Sequence, residues 1–279
     1  MNDNREKIIA VLISAALLFS IFTILVSSGQ APKTSARAAA LYEPKSDTFL
    51  YTKNENQRLG MASTTKIMTA LVALENAELE KVIRVDDRAV GIEGSSIYLK
   101  ENEELSIEAL IYSLMLRSAN DAALALAYEI SGSVEEFSRL MNEKAERLGL
   151  TDTSFTNPHG LDNKDHYTSA RDLAILTAAA LKNEKFKEIV STYKITIQSS
   201  TTERLLVNHN KLLTGYDGCI GVKTGYTKKS GRSLVSAAER NGVTLISVTI
   251  DDPDDWIDHK KMLDYGFSRY KTSEEIWNS

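Results

Sequence analysis

Three short runs place side chains that can do covalent chemistry on a peptide. In Ser63-Thr64-Thr65-Lys66 the hydroxyl and the amine stand at i and i+3, positions that share a helix face. A serine hydroxyl is a weak nucleophile until a base takes its proton. Lys66 serves as that base only if its pKa falls from about 10.4 towards neutrality, and burial and a second nearby cation both push it that way. A helix N-terminus would also aim backbone N–H groups and a positive dipole at a developing oxyanion. In Ser118-Ala119-Asn120 a hydroxyl able to relay a proton and a carboxamide able to donate to and accept from a peptide group can face one cleft. In Lys223-Thr224-Gly225 a cation and a hydroxyl suit a carboxylate. The glycine there would leave room for a substrate backbone, and an exposed strand edge lets an extended peptide add as a strand. Each run also has a plain reading: a solvated lysine behind an N-terminal serine, ordinary turn chemistry, and a strand-ending turn.

The elements around these runs can be read from periodicity. Ala39–Tyr42 and Thr48–Tyr51 flank a Pro-containing turn and predict a hairpin. Ser63 then opens a helix with Ile67, Met68, Leu71 and Leu74 on one face. Ser106 caps a helix from Ile107 to about Arg117, a second spans Ala122–Ile130, and Ser118 lies on the turn between them. Ser133-Val134-Glu135-Glu136 is a capping box for a helix that Gly149 ends, and Ser169 caps another carrying Leu173, Leu176 and Leu181. The last third predicts strands at Tyr193–Gln198, Cys219–Val222, Leu234–Ala238 and Val243–Ile250. Asn241-Gly242 turns the final hairpin, and a closing helix runs from Asp255 to Tyr270. This order implies a mixed α/β fold: a mainly antiparallel sheet flanked by helices, with a helical subdomain inserted between the first and last strands.

Composition narrows the function classes. An apolar share of 43% with 25% charged residues is that of a globular chain rather than a disordered one. Lys+Arg 33 against Asp+Glu 38 leaves −5, too little positive charge for nucleic acid to be a partner. One cysteine, Cys219, and four histidines argue against a structural metal site; Cys219 is read as a buried small hydrophobe. Ile8–Val26 is a run of 19 residues without a charge, preceded by Arg5 and Lys7. At ~1.5 Å per residue it matches the ~30 Å hydrocarbon core. Residues 1–27 are therefore an N-terminal membrane anchor, or a signal peptide cleaved near Ala36-Arg37-Ala38, and either places the remainder outside the cytoplasm. Residues 28–37 read as a flexible linker, 38–271 as one catalytic domain and 272–279 as a tail.

Taken together and in this order, the three runs match the signature Ser-x-x-Lys, Ser-Asp-Asn and Lys-Thr-Gly of penicillin-binding proteins and class A β-lactamases in all but one residue. With the flanking stretches Met61–Thr69, Ser118–Ala122, Phe155–Leu161 and Gly221–Thr227, the chain resembles the serine-type D-alanyl-D-alanine carboxypeptidases, low-molecular-weight penicillin-binding proteins. The resemblance covers about Ala38 to Tyr270 and implies a β-lactamase/transpeptidase-like fold. It implies that Ser63 attacks the carbonyl between two terminal D-alanines of a peptidoglycan stem peptide, that Lys66 accepts the proton and that Ser118 relays one to the leaving D-alanine. It also implies that Asn120 holds the substrate amide, that Lys223 and Thr224 bind the terminal carboxylate with Gly225 beside them, and that Ser63 and Tyr226 supply oxyanion N–H groups. No cofactor or metal is implied, and β-lactam antibiotics become inhibitors trapped as an ester on Ser63.

The middle motif here is Ser-Ala-Asn, without the carboxylate of Ser-Asp-Asn. Many relatives carry a further β-rich domain and a C-terminal anchor; in this chain the attachment is expected at the N-terminal segment. A β-lactamase is the enzymatic rival, disfavoured because no Glu-x-x-x-Asn element stands between Ser118 and Lys223. A catalytically idle wall- or β-lactam-binding protein is the non-enzymatic rival, disfavoured because Ser63 and Lys66 are both present. His159, in Asn157-Pro158-His159-Gly160, is read as structural. The acidic run Asp251-Asp252-Pro253-Asp254-Asp255 is read as a solvated loop feeding a helix N-terminus.

Overall fold

The structure, a computed structural model, describes residues 31–270. The expected membrane segment 8–26, the start of the linker at 28–30 and the tail 272–279 lie outside the described residues. Among the described residues no helix is long and apolar enough to cross a membrane.

Five antiparallel strands form the main sheet: β1 (Ala38–Glu43), β2 (Thr48–Lys53), β7 (Cys219–Thr227), β8 (Gly231–Arg240) and β9 (Val243–Ile250), in the order β2-β1-β9-β8-β7. The first and last parts of the chain are thus joined side by side, Ala40 opposite Val248. The β8–β9 turn has Asn241 and Gly242 both at positive φ, 50° and 75°, the two-residue hairpin geometry expected of this pair. Every residue of β1 is buried because both faces of the sheet are covered. Ala38, Ala40 and Tyr42 enter the large core on one side; Ala39 and Leu41 enter a smaller one with Leu245, Met262 and Leu263. Strand alternation feeds the two cores in turn.

Between β2 and β7 lie the helices α1 (Lys66–Asn76), α2 (Ile107–Leu116), α3 (Asn120–Ser131), α4 (Val134–Arg147), α5 (Ala170–Leu181) and α6 (Glu184–Ser191), then a single turn α7 (Leu212–Gly215); α8 (Asp255–Ser268) closes the chain over the small core. The side-chain caps are as expected: Ser106, Ser133 and Ser169 accept from the N–H of Ala109, Glu136 and Asp172. Two two-stranded sheets, β3 (Val82–Arg84) with β4 (Glu104–Ser106) and β5 (Lys194–Gln198) with β6 (Glu203–Val207), sit in the helical insertion. Apart from β5 they were not evident in the sequence, being only three to five residues long and without a clear apolar alternation.

Several expectations need correction. Ser63 does not open the helix; it sits in a 3-10 turn, Ala62–Thr65, that precedes α1. The helix is not amphipathic, since every residue from Lys66 to Ala73 is buried; it is the central strut of the large core. Strand β7 continues through Thr227 rather than stopping at Val222, so Lys223-Thr224-Gly225 lies within an edge strand. The linker's last residues are held: Ser35 N–H donates to Asp258 at 2.6 Å, its hydroxyl to Asp252 at 2.6 Å, and Ala36 is buried. The acidic run does open α8 at Asp255 but is solvated only in part: Asp254 is exposed, whereas Asp252 and Asp255 are buried, the first against Ser35 and the second against Arg232. Cys219 is only partly buried, and its thiol faces Gly221 O at 3.4 Å.

Candidate active site

The turn Ala62–Thr65 is fixed from below. The Thr64 and Thr65 hydroxyls donate back to Met61 O (2.6 Å) and Ala62 O (2.7 Å), and Ala62 is held at φ 47°, a conformation that needs support from its surroundings. His166 supplies some of it. Its Nδ1 accepts from Thr156 N–H at 3.0 Å, so Nε2 carries the proton and donates to Thr65 Oγ1 at 2.8 Å. Burial pushes this imidazole down to about 4, and it is neutral at pH 7. Gly160, at φ 91°, lets the Asn157–Gly160 turn lie directly on the Ala62 carbonyl.

Lys66 is fully buried. Its Nζ lies 3.1 Å from Ser63 Oγ and 2.7 Å from Asn120 Oδ1, and it also donates to the His159 carbonyl. Lys223 is buried too and donates to its neighbour's carbonyl, Thr224 O, at 2.9 Å. Among the described residues neither ammonium has a carboxylate at ion-pair distance. Burial, and then repulsion from Lys223, hold the Lys66 amine well below its ordinary value, against a weaker opposing pull from Asp121. Burial lowers Lys223 to about 7. Lys66 yields its proton first, so Lys223 titrates beside an amine already neutral. A neutral amine has two N–H bonds and one lone pair. Asn120 Oδ1 and His159 O take the two donors, which leaves the lone pair for the Ser63 hydroxyl.

Above this pair the groove is open. Ser63, Ser118, Thr224, Gly225 and Tyr226 line it together. Ser118, at φ 59°, has a buried hydroxyl without a hydrogen-bond partner among the described residues, poised for an incoming group. Asn120, the first residue of α3, is clamped at both ends, to Lys66 through Oδ1 and to Glu93 O through Nδ2 at 2.6 Å. The candidate residues from all three motifs are therefore brought together, five on the groove walls and Lys66, Asn120 and Lys223 beneath. Gly225 has a different reason from the one expected. A Cβ there would lie 3.2 Å from Met61 O, Ser63 N and Thr64 N, so the glycine lets β7 touch the nucleophile's own turn.

A profile of the D-alanyl-D-alanine carboxypeptidases, peptidase family S11, matches residues 26–254. The chain belongs to this family. The D-alanyl-D-alanine carboxypeptidase DacF of Bacillus subtilis is 39% identical over 246 residues, which cover 85% of this chain and 63% of DacF; the chain thus spans less than two thirds of that relative's length. The crystal structure of the Streptomyces K15 DD-transpeptidase superposes with a TM-score of 0.81 at 33% identity, covering 86% of this chain and 99% of that one. The D-alanyl-D-alanine carboxypeptidase of Mycobacterium tuberculosis H37Rv gives 0.82 at 31%, covering 86% and 93%. The fold is that of the penicillin-binding proteins and β-lactamases.

In this S11 family member, further groove residues carried no signal in the sequence. His209 faces the groove with Arg232, Asp255 and Trp256; burial, then Lys223 and Arg117, lower His209 to about 4. Arg232 pairs with Asp255 at 3.1 Å. Asp121, next to Asn120, accepts from Ser96 Oγ and from Leu99 N at 3.0 Å and so fixes the loop that passes Glu93. His159 contributes its carbonyl to Lys66, while its imidazole accepts from Leu161 N at 3.2 Å; the structural reading of that residue agrees with this geometry.

Proposed function

We propose that this protein is a serine D-Ala-D-Ala carboxypeptidase that removes the terminal D-alanine from peptidoglycan stem pentapeptides and is acylated by β-lactams. The carrying observation is the buried Lys66 amine 3.1 Å from Ser63 Oγ, with its two N–H bonds committed elsewhere and a second lysine beneath the same site. Ser63 Oγ adds to the carbonyl of the penultimate D-alanine as Lys66 takes the hydroxyl proton. The oxyanion is held by the N–H groups of Ser63 and Tyr226, at the head of α1 and on the free edge of β7. The tetrahedral adduct collapses, the peptide C–N bond breaks, and the leaving amine takes a proton through Ser118. Asn120 holds the substrate amide, while Lys223 and Thr224 bind the terminal carboxylate with Gly225 beside them. Water then adds to the ester and frees Ser63. These steps use side-chain and backbone groups of the chain alone.

Residues 38–271 are taken as the catalytic domain. The apolar run 8–26 is taken as a membrane anchor or export signal that places this domain on the outer face of the bacterial cell membrane, where stem peptides are. Labelling with a fluorescent penicillin followed by peptide mapping tests the reading. The ester is expected on Ser63, and Ser63→Ala should release no D-alanine from a pentapeptide while remaining folded. Release by that variant at the wild-type rate would place the chemistry elsewhere, and rapid penicillin turnover would make the protein a β-lactamase.

A further inference from the structure

A second depression, beyond the groove, is lined by Arg37, Arg58, Lys164 and Lys229 together with Asp162 and Ser230. Four cations surround one carboxylate, in a chain whose net charge is −5. That carboxylate accepts from the Ser230 hydroxyl, and Arg58 is shared with Asp152 outside the depression at 3.0 Å. Among the described residues Lys164 has only a distant acidic neighbour, Asp165 at 3.9 Å, and its side chain is 86% exposed. The positive charge here is therefore largely uncommitted.

Its place relative to the groove follows from β7. The Cys219–Val222 half of that strand is covered by α6, since a Cβ on Gly221 would lie 2.9 Å from the Val190 side chain. The other half runs past the Ser63 turn at Gly225 and ends in the turn that carries Lys229 and Ser230. Gly60, just before the Ser63 turn, touches Ser230 from the opposite wall. A peptide whose terminal carboxylate sits at Lys223 and Thr224 has one open direction, back along β7 past Tyr226 towards Lys229. At about 3.3 Å per residue it arrives there roughly two to three residues upstream of the scissile bond.

We infer that this depression is a subsite for a carboxylate carried on the upstream part of the acyl donor. The inference rests on the carboxypeptidase reading above. Opposite charges across a solvent-exposed groove act mainly through binding and are weakened by salt.

Two substrates ending in Nε-acetyl-lysyl-D-Ala-D-Ala, one capped upstream with acetyl and the other with glutaryl, separate the two claims when D-alanine release is measured on the full chain. At low ionic strength the glutaryl peptide should have a kcat/KM roughly three- to tenfold higher. The ratio should approach one in high salt, and should fall to one or below in Lys164→Glu/Lys229→Glu, whose rate on the acetyl peptide stays at the wild-type level. Equal rates on the two peptides at low salt, or a glutaryl preference that survives the double substitution, would overturn the subsite while leaving the carboxypeptidase standing. Absence of D-alanine from both peptides would overturn both.

Discussion

Two parts of the molecule bury charge and resolve it in opposite ways. Glu103, in the helical insertion, is fully buried, and burial alone would raise its carboxyl. The Arg204 guanidinium at 2.6 and 3.0 Å and the Ser199 hydroxyl overcome that and hold it at about 2. At the groove floor Lys66 and Lys223 are equally buried, but each is answered by neutral acceptors, and Lys66 is repelled by Lys223 as well. The first arrangement keeps its charges and ties β4 to the β5–β6 hairpin. The second makes a charge costly to keep, which is the condition for an amine to act as a base near pH 7. Desolvation is common to both places, and the presence or absence of an opposite charge decides whether it yields structure or reactivity.

Substitutions on each side should separate these roles. Lys66→Met should lower acylation by penicillin by about 10²–10⁴-fold, the usual contribution of a positioned base, while the thermal midpoint stays within a few degrees. Stopped-flow or gel labelling measures the first and calorimetry the second; wild-type acylation would break the contrast. Glu103→Ala should do the reverse. It strands a buried guanidinium and should cost about 3–5 kcal/mol in urea unfolding, with labelling per folded molecule unchanged.

The pH dependence sharpens the contrast. Lys66 must be neutral and Lys223 charged, so kcat/KM for D-alanine release should fall at low pH as Lys66 gains a proton. Above pH 7 it should fall by about tenfold per unit as Lys223, near 7 in the empty groove, loses its own. Lys223→Arg should flatten that alkaline limb, because a guanidinium does not titrate there; an unchanged limb would exclude Lys223 as its source.

A smaller effect concerns a third way of burying a titratable group. His259, under the sheet, is held between Thr249 Oγ1 (3.0 Å) and Ser236 Oγ (2.9 Å), and burial lowers it to about 3. It is neutral in the fold, whereas the unfolded chain protonates it below about 6.5. Stability is therefore intact above that value and falls as pH drops from about 6.5 towards 3, by about 1.4 kcal/mol per unit from this group. Urea titrations at pH 7 and 5 should differ by about 2 kcal/mol more in the wild type than in His259→Gln.

The three motifs, the capping serines, the Asn241-Gly242 hairpin and the alternation of sheet and helix were legible in the sequence. Each is a local code in which residue type and spacing act over a turn or two, and the order of Ser63, Ser118 and Lys223 already carried the family resemblance. The sequence also suggested how the Lys66 amine would have to be tuned, since that requirement follows from the chemistry of a serine nucleophile. Only the tertiary structure decided that the tuning is there. The repulsion of Lys66 by Lys223, the seating of Gly225 on the Ser63 turn, the His166 proton that steadies Thr65 and the positive depression at the end of β7 join residues from distant parts of the chain. Close approach between them is set by how the β1–β9 pairing and the buried α1 bring the two ends of the domain together, and burial, which drives the lysine and histidine shifts, exists only once that packing is complete.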